Sequence, residues 1–317
     1  MKILIFLFLV HKLSAYPVDD DRIIFLDSAE SVSRFSEVSS RIDDSTDDLK
    51  LDLQSLFNDP NVIKSENDTD SFMLENQGSD DALYGQHYQG DIVLSDDQKE
   101  FLKATNISEF SSRTGIISLY YRWPKNRSGK VIVPYEISNA YSILEYFLIG
   151  SSMRDIEKHT CISFTPRKKE SDYIFIQSGD GCSSHLGKIG SRQVVNLDSN
   201  GCMSRRTIIH ELVHALGFDH MQSRYDRDRY IDVLYQNIKE SEYSQFELVD
   251  PKKFNDFNTP YDYYSIMHYG PVAFSKNRNT KRTIVPKIAR YRNVIGQSPR
   301  LSLGDIKRIN NMYNCGS

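Results

Sequence analysis

The residues best spaced for chemistry lie in one stretch, HELVHALGFDH, residues 210–220. His210 and His214 stand four positions apart, so on a helix they share one face, one turn above the other, and can hold a single metal ion. Glu211 follows directly, about 100° around the helix, where it can reach a water at the metal without being a ligand. Gly217 falls where the helix must stop, and a positive φ there would let His220 return to the metal from another direction. Three neutral imidazoles leave one zinc position open, the catalytic rather than the structural pattern. A metal-free helical cluster is the plain alternative, and Gly217 and His220 at fixed offsets argue against it.

The wider stretch HELVHALGFDHMQSRYDRDRYIDV, with SIMHY at residues 265–269, resembles the astacin family of metzincin zinc endopeptidases. The resemblance implies an α+β metzincin zinc-protease fold: a mixed twisted sheet with two long helices in an upper half, an irregular lower half with a C-terminal helix, and a cleft between. It implies one catalytic zinc on His210, His214 and His220, with Glu211 as general base and hydrolysis of internal peptide bonds in polypeptide substrates. Met267 would form the apolar floor of the family's Met-turn, although alone it reads as a core methionine. Tyr269 would be an extra ligand that swings away to hold the oxyanion. One position departs. Most members carry glutamate after the third histidine, to meet the new N-terminus after activation, whereas here Met221 offers only a thioether. Either the amine of Thr114 finds another acceptor or a water bridge, or the mature N-terminus is less firmly seated.

Those elements must be positioned by a chain of 317 residues, long enough for two domains. Residues 1–15 read as a secretory signal peptide, with Lys2, the apolar run 3–10 and a small-residue site ending at Ala15. An apolar run this short does not span a bilayer, and no later segment approaches the roughly 20 apolar residues a membrane helix needs. A secreted, extracellular, monomeric protein is expected. Cys161, Cys182, Cys202 and Cys315 imply two disulfides in such a chain, with three possible pairings. The family resemblance selects Cys161 with Cys315 and Cys182 with Cys202. Asn67, Asn106 and Asn126 begin glycosylation sequons.

Charge divides the chain. Residues 16–113 carry 23 acidic and 8 basic side chains, a net of −15, while residues 114–317 carry 20 and 29, a net of +9. An acidic pro-segment over 16–113 facing a basic body is one reading, with attraction screened by salt. For most of 16–81 a merely solvated, disordered tract is the simpler one. Residues 87–102, HYQGDIVLSDDQKEFL, differ. No cysteine precedes Cys161, so a carboxylate is the available anionic plug for an open zinc position. YQGDI resembles the family's pro-segment motif, which maps the zinc-blocking aspartate onto Asp91, with Gly90 allowing close approach. Without the catalytic motif Gly90-Asp91 would read as a turn. His87 is a weaker plug, and SDDQKEFL is expected to be a short helix capped by Ser95. Cleavage is expected after Arg113, leaving a catalytic domain that starts at Thr114 and spans 114–317. Signal, pro-segment and protease alone would be the family's minimal form.

Within that domain VIVPYEI, CISF, YIFIQSG and RQVVNLD read as strands, and a long helix is expected from a Ser138 cap to about Lys158. Further helices are expected at YIDVLYQNI and over 302–313. Between the two halves an extended peptide could lie along an edge strand. His185 reads as an exposed non-ligand and His268 as a packed or hydrogen-bonded one. The basic balance lacks a stripe with interleaved aromatics, so no nucleic acid is expected. An inactive binding or matrix protein with the same cleft is the alternative from another class, and an exopeptidase the minor one among enzymes.

Overall fold

The computed structural model describes residues 87–103, 119–254 and 256–316, with the strand residues Ile24–Phe25 and Ile63–Lys64. The chain divides into two units, Met1–Gln77 and Gly78–Ser317. In the first, Ile24–Phe25 pairs antiparallel with Ile63–Lys64. The signal segment, Asn67, Asn106, Arg113 and Thr114 lie outside the described residues.

The second unit begins with β1 (Ile92–Val93) and α1 (Asp96–Lys103). Ser95 and Gln98 cap α1 reciprocally: Ser95 Oγ accepts from the Gln98 amide at 3.2 Å and Gln98 Oε1 from the Ser95 amide at 3.0 Å. There follow β2 (Val131–Ile137), α2 (Ile143–His159), β3 (Ile162–Pro166), β4 (Tyr173–Gln177), β5 (Cys182–His185), β6 (Arg192–Leu197) and α3 (Arg205–Ala215). These strands form one mixed sheet in the order β1-β5-β6-β4-β2-β3, antiparallel only between β5 and β6. Alternation in β2 and β4 turns Val131, Val133, Ile174 and Ile176 into the core, where Ile149, Met153 and Ile156 of α2 and Ile208 and Leu212 of α3 also lie buried.

Helix α2 starts later than expected. Ser142, not Ser138, is the N-cap, and Glu145 completes the capping box. The S-x-x-E signature stands at 142–145 in the sequence. Leu144 faces outward, 50% exposed. The lower half is held by β7 (Ile231–Val233), β8 (Ile284–Pro286) and α4 (Leu303–Met312), which Ser302 caps. The helix expected at YIDVLYQNI is instead β7 followed by a short 3-10 turn at Tyr235–Asn237. Its partner β8 lies some fifty residues on, in antiparallel register with Ile284 opposite Val233, and local periodicity cannot report such a partner. Met221, Ile231, Phe246, Tyr261, Tyr269 and Phe274 lie in this half's core. Disulfides join Cys161 to Cys315 and Cys182 to Cys202, the pairing the family resemblance implies.

Candidate active site

Helix α3 carries His210, Glu211 and His214 into the interior, where every residue from Thr207 to Ala215 is buried. Gly217 ends it with φ of 98°, a backbone conformation that favours glycine, with the tip of Met312 3.0 Å from where a Cβ would stand. The turn returns His220 toward α3. The Nε2 atoms of His214 and His210 are 3.1 Å apart, and those of His210 and His220 3.2 Å.

Each ring is fixed from behind by its other nitrogen. His210 Nδ1–H donates to Ile266 O at 2.9 Å, His214 Nδ1–H to Phe218 O at 2.7 Å, and His220 Nδ1–H to Gln89 Oε1 at 3.1 Å. These acceptors leave the three Nε2 lone pairs aimed at one point. Asp91, fully buried, closes the group: its Oδ2 is 3.2 Å from His210 Nε2, and its Oδ1 is 3.4 Å from the Nε2 of both His214 and His220. Oδ1 has no hydrogen-bond partner.

Converging lone pairs and a buried carboxylate repel one another unless a cation sits among them. Ligand bonds of about 2.0–2.1 Å to tetrahedral zinc separate the donor atoms by roughly 3.3 Å, which matches the spacing here. The charges also fit. Burial pushes the His220 imidazole down to about 3 and lowers that of His210. Burial opposes ionisation of Asp91, but the facing His220 and His214 hold its carboxyl well below the usual range. His210, His214, His220 and Asp91 thus form a four-residue site for one catalytic zinc ion.

Glu211 lies beside this site, fully buried and with no hydrogen-bond partner on either oxygen. Burial, and then the Asp91 charge, raise its carboxyl well above the ordinary range. Tyr269 is not in the tetrad; its hydroxyl donates to the carbonyl of Gln89. Met267 is fully buried in the 265–268 turn. Asp305 of α4 clamps that turn, accepting from Ser265 Oγ at 2.6 Å and from the Ile266 amide at 2.8 Å.

Residues 87–103 fill the cleft. β1 extends the sheet beyond β5 in parallel, with Val93 opposite His185. Ile92 and Phe101 pack with Leu186 of the upper half and Val249 and Phe254 of the lower. Gln98 Nε2 donates to Leu186 O at 2.6 Å, and Lys253 Nζ to Leu102 O. His185, expected to be exposed, is largely covered because β1 lies against its strand, and burial lowers its pKa. His268 is buried between Tyr261 OH and Tyr269 O, both at 2.8 Å. His87 is exposed and outside the tetrad. Asn126 is exposed at a turn. Met221 is buried, its Sδ 3.8 Å from Arg308 Nη1.

Sequence reasoning passed over Gln89, Asp219, Ser223 and Asp305. Of these only Asp305 had a signal, as the acidic third residue of the α4 capping box. Burial pushes the Asp219 carboxyl up to about 7, against the His220 amide hydrogen bond and the His214 charge.

A third histidine brought back by a glycine turn, above a methionine-bearing turn that supports the first, makes this a metzincin-type zinc peptidase site. The family model of the astacin peptidases matches residues 116–314. The chain is 41% identical to zinc metalloproteinase nas-4 of Caenorhabditis elegans over 74% of its own length and 71% of the relative's. It is 37% identical to nas-7 of the same organism over 81% of its length and 65% of the relative's. A solved structure of high choriolytic enzyme 1, a hatching-enzyme zinc protease from Oryzias latipes, is similar with a TM-score of 0.58 at 43% identity. That match covers 62% of this chain and 95% of the other. The chain belongs to the astacin family, and it is a zinc-dependent hydrolase of the metalloprotease type.

Proposed function

We propose that this chain is a secreted zinc endopeptidase made as a latent proenzyme, with a signal peptide over 1–15, a pro-segment over 16–113 and a catalytic domain over 114–317. The observation that carries the reading is the convergence of three Nε2 atoms on the carboxylate of Asp91 beside an unpartnered Glu211. Asp91 takes the position a substrate or water would need, so the same geometry supports both catalysis and its suppression. Activation is proposed at the Arg113–Thr114 bond.

His210, His214 and His220 would hold a zinc ion, and that ion would supply Lewis-acid chemistry toward water and the scissile carbonyl. Glu211, desolvated and without a competing partner, takes the proton of the attacking water and passes it to the leaving amine. Tyr269, released from the Gln89 carbonyl, donates a hydrogen bond from its hydroxyl to the oxyanion, a contact made chiefly in the transition state. The edge of β5, vacated by β1, offers main-chain hydrogen bonds to an extended polypeptide. No helix among the described residues is long and apolar enough to cross a membrane.

The test is cleavage of a protein substrate by the purified chain before and after limited trypsin treatment, with Glu211→Ala in parallel. Cleavage that appears on trimming and is lost in the variant supports the reading. Zinc bound without turnover in either form points to a binding protein instead.

A further inference from the structure

Gln89 is only 1% exposed and stands two residues before Asp91, yet its side chain touches the supports of the metal site rather than its centre. Its Oε1 accepts from His220 Nδ1–H at 3.1 Å and from Ser223 Oγ at 2.8 Å. Its Nε2 donates to Asp219 Oδ2 at 3.3 Å and to Tyr88 OH at 3.1 Å. Asp219 Oδ1, which accepts the His220 backbone amide at 2.6 Å, is itself just 3.9 Å from His220 Nδ1. The Gln89 amide therefore bridges the imidazole N–H and the other oxygen of a carboxylate that almost reaches the same ring.

Removing Gln89 takes the acceptor from the Nδ1–H of His220 and a donor from Oδ2 of Asp219, both in residues that are buried, at 2% and 7% exposed. Unpaired polar groups at such burial are costly, and closing the 3.9 Å gap to Oδ1 by about 1 Å pairs the imidazole with the carboxylate. His210 and His214 face no such change. Their acceptors, Ile266 O and Phe218 O, belong to the catalytic domain itself.

We propose that Gln89 is a placeholder for Asp219: when the segment carrying it leaves the cleft, Asp219 accepts the Nδ1–H of His220 and becomes the positioning residue of the third ligand. This rests on the reading of residues 16–113 as a removable pro-segment. The exchange keeps the tautomer of His220 but replaces a neutral amide by a carboxylate, which makes the imidazole a stronger ligand. Trimming would then tighten the hold of this histidine on zinc as it uncovers the site. Ser223 Oγ, freed at the same moment, is the competing acceptor, and a hydroxyl adds no such basicity.

The test compares full-length and trypsin-trimmed chains of wild type, Asp219→Asn and Ser223→Ala by competition for zinc against a chelator. The asparagine keeps an oxygen for the His220 amide, which donates to Asp219 Oδ1 at 2.6 Å, but carries no negative charge to strengthen the imidazole as a ligand. The expected result is about tenfold weaker zinc retention by trimmed Asp219→Asn. Less loosening is expected in its full-length form, where Gln89 still accepts the Nδ1–H although its Nε2 loses the Asp219 Oδ2 acceptor, and none in either form of Ser223→Ala. Nitrogen-15 NMR of the wild-type His220 ring gives a readout independent of any variant's folding, with Nδ1–H moving downfield on trimming. Equal loosening in both forms of Asp219→Asn, no loosening in the trimmed form, or an unmoved Nδ1–H resonance would overturn the proposal. Protein-substrate cleavage by the trimmed wild type, run alongside, tests the endopeptidase reading separately, because zinc retention is measured without turnover.

Discussion

Glu211 shows how a single residue's surroundings define its chemistry. A carboxylate buried without a hydrogen-bond partner is destabilising unless it is used, and here it flanks the point where three imidazole lone pairs meet. Glu211→Gln, which preserves shape, is expected to lower turnover about 10²–10⁴-fold while zinc content, read by atomic absorption, stays stoichiometric. Tyr269→Phe is expected to lower kcat about 10²–10³-fold in the trimmed enzyme with little change in KM, because the lost hydrogen bond forms mainly in the transition state. A rise in KM at unchanged kcat would instead assign Tyr269 to ground-state binding. Met221 belongs at this scale too. Its sulfur faces the buried Arg308, and the position after the third histidine, where the family resemblance implies a glutamate, carries no negative charge.

At the scale of elements, the turn 265–268 and helix α4 act as one unit. Asp305 caps α4 through Ser302, at 2.9 Å from the Asp305 amide to the Ser302 hydroxyl, and holds Ser265 and Ile266 with its own carboxylate. Ile266 in turn orients His210. Asp305→Ala removes the buried acceptor of three donors, Ser265 Oγ and the Ile266 and Ser302 amides, and is expected to cost about 3 kcal/mol, measurable as a lower urea midpoint. Zinc retention should weaken as well, although Asp305 touches no ligand. The expected helix at YIDVLYQNI failed at this scale because β8 offers Ile231–Val233 a ladder from far along the chain. Local pattern cannot weigh a distant strand against a helical turn.

Across the whole catalytic unit, the cleft is closed by several independent attachments. Asp91 occupies the metal site, Ile92 and Phe101 fill apolar space between the halves, and Gln98 and Lys253 add polar ties. Each buried apolar side chain contributes about 1.5–3 kcal/mol. Full-length Asp91→Ala is therefore expected to show measurable cleavage without trimming yet stay well below the trimmed wild type, because the remaining attachments persist. Full activity in the untrimmed variant would mean that Asp91 alone enforces latency. Dialysis of the trimmed enzyme against a zinc chelator is expected to abolish cleavage, and stoichiometric zinc to restore it.

The metal-binding residues and the family were legible in the sequence because their spacing is local: His210, Glu211 and His214 are fixed by helical geometry, and Gly217 and His220 by the turn that ends the helix. Four of the six strands of the sheet, β2, β3, β4 and β6, were legible for the same reason, their pattern being written into consecutive residues, whereas β1 and β5 were not. What only the tertiary structure decided depends on contacts between distant segments. It brought Gln89 between His220 and Asp219 across some 130 positions and Asp305 onto the turn at 265–266, and it covered His185 by laying β1 along β5. Gln89, Asp219 and Ser223 carry no spacing signal of their own; their roles arise where buried donors and acceptors must be satisfied, and that is settled only when the chain has folded.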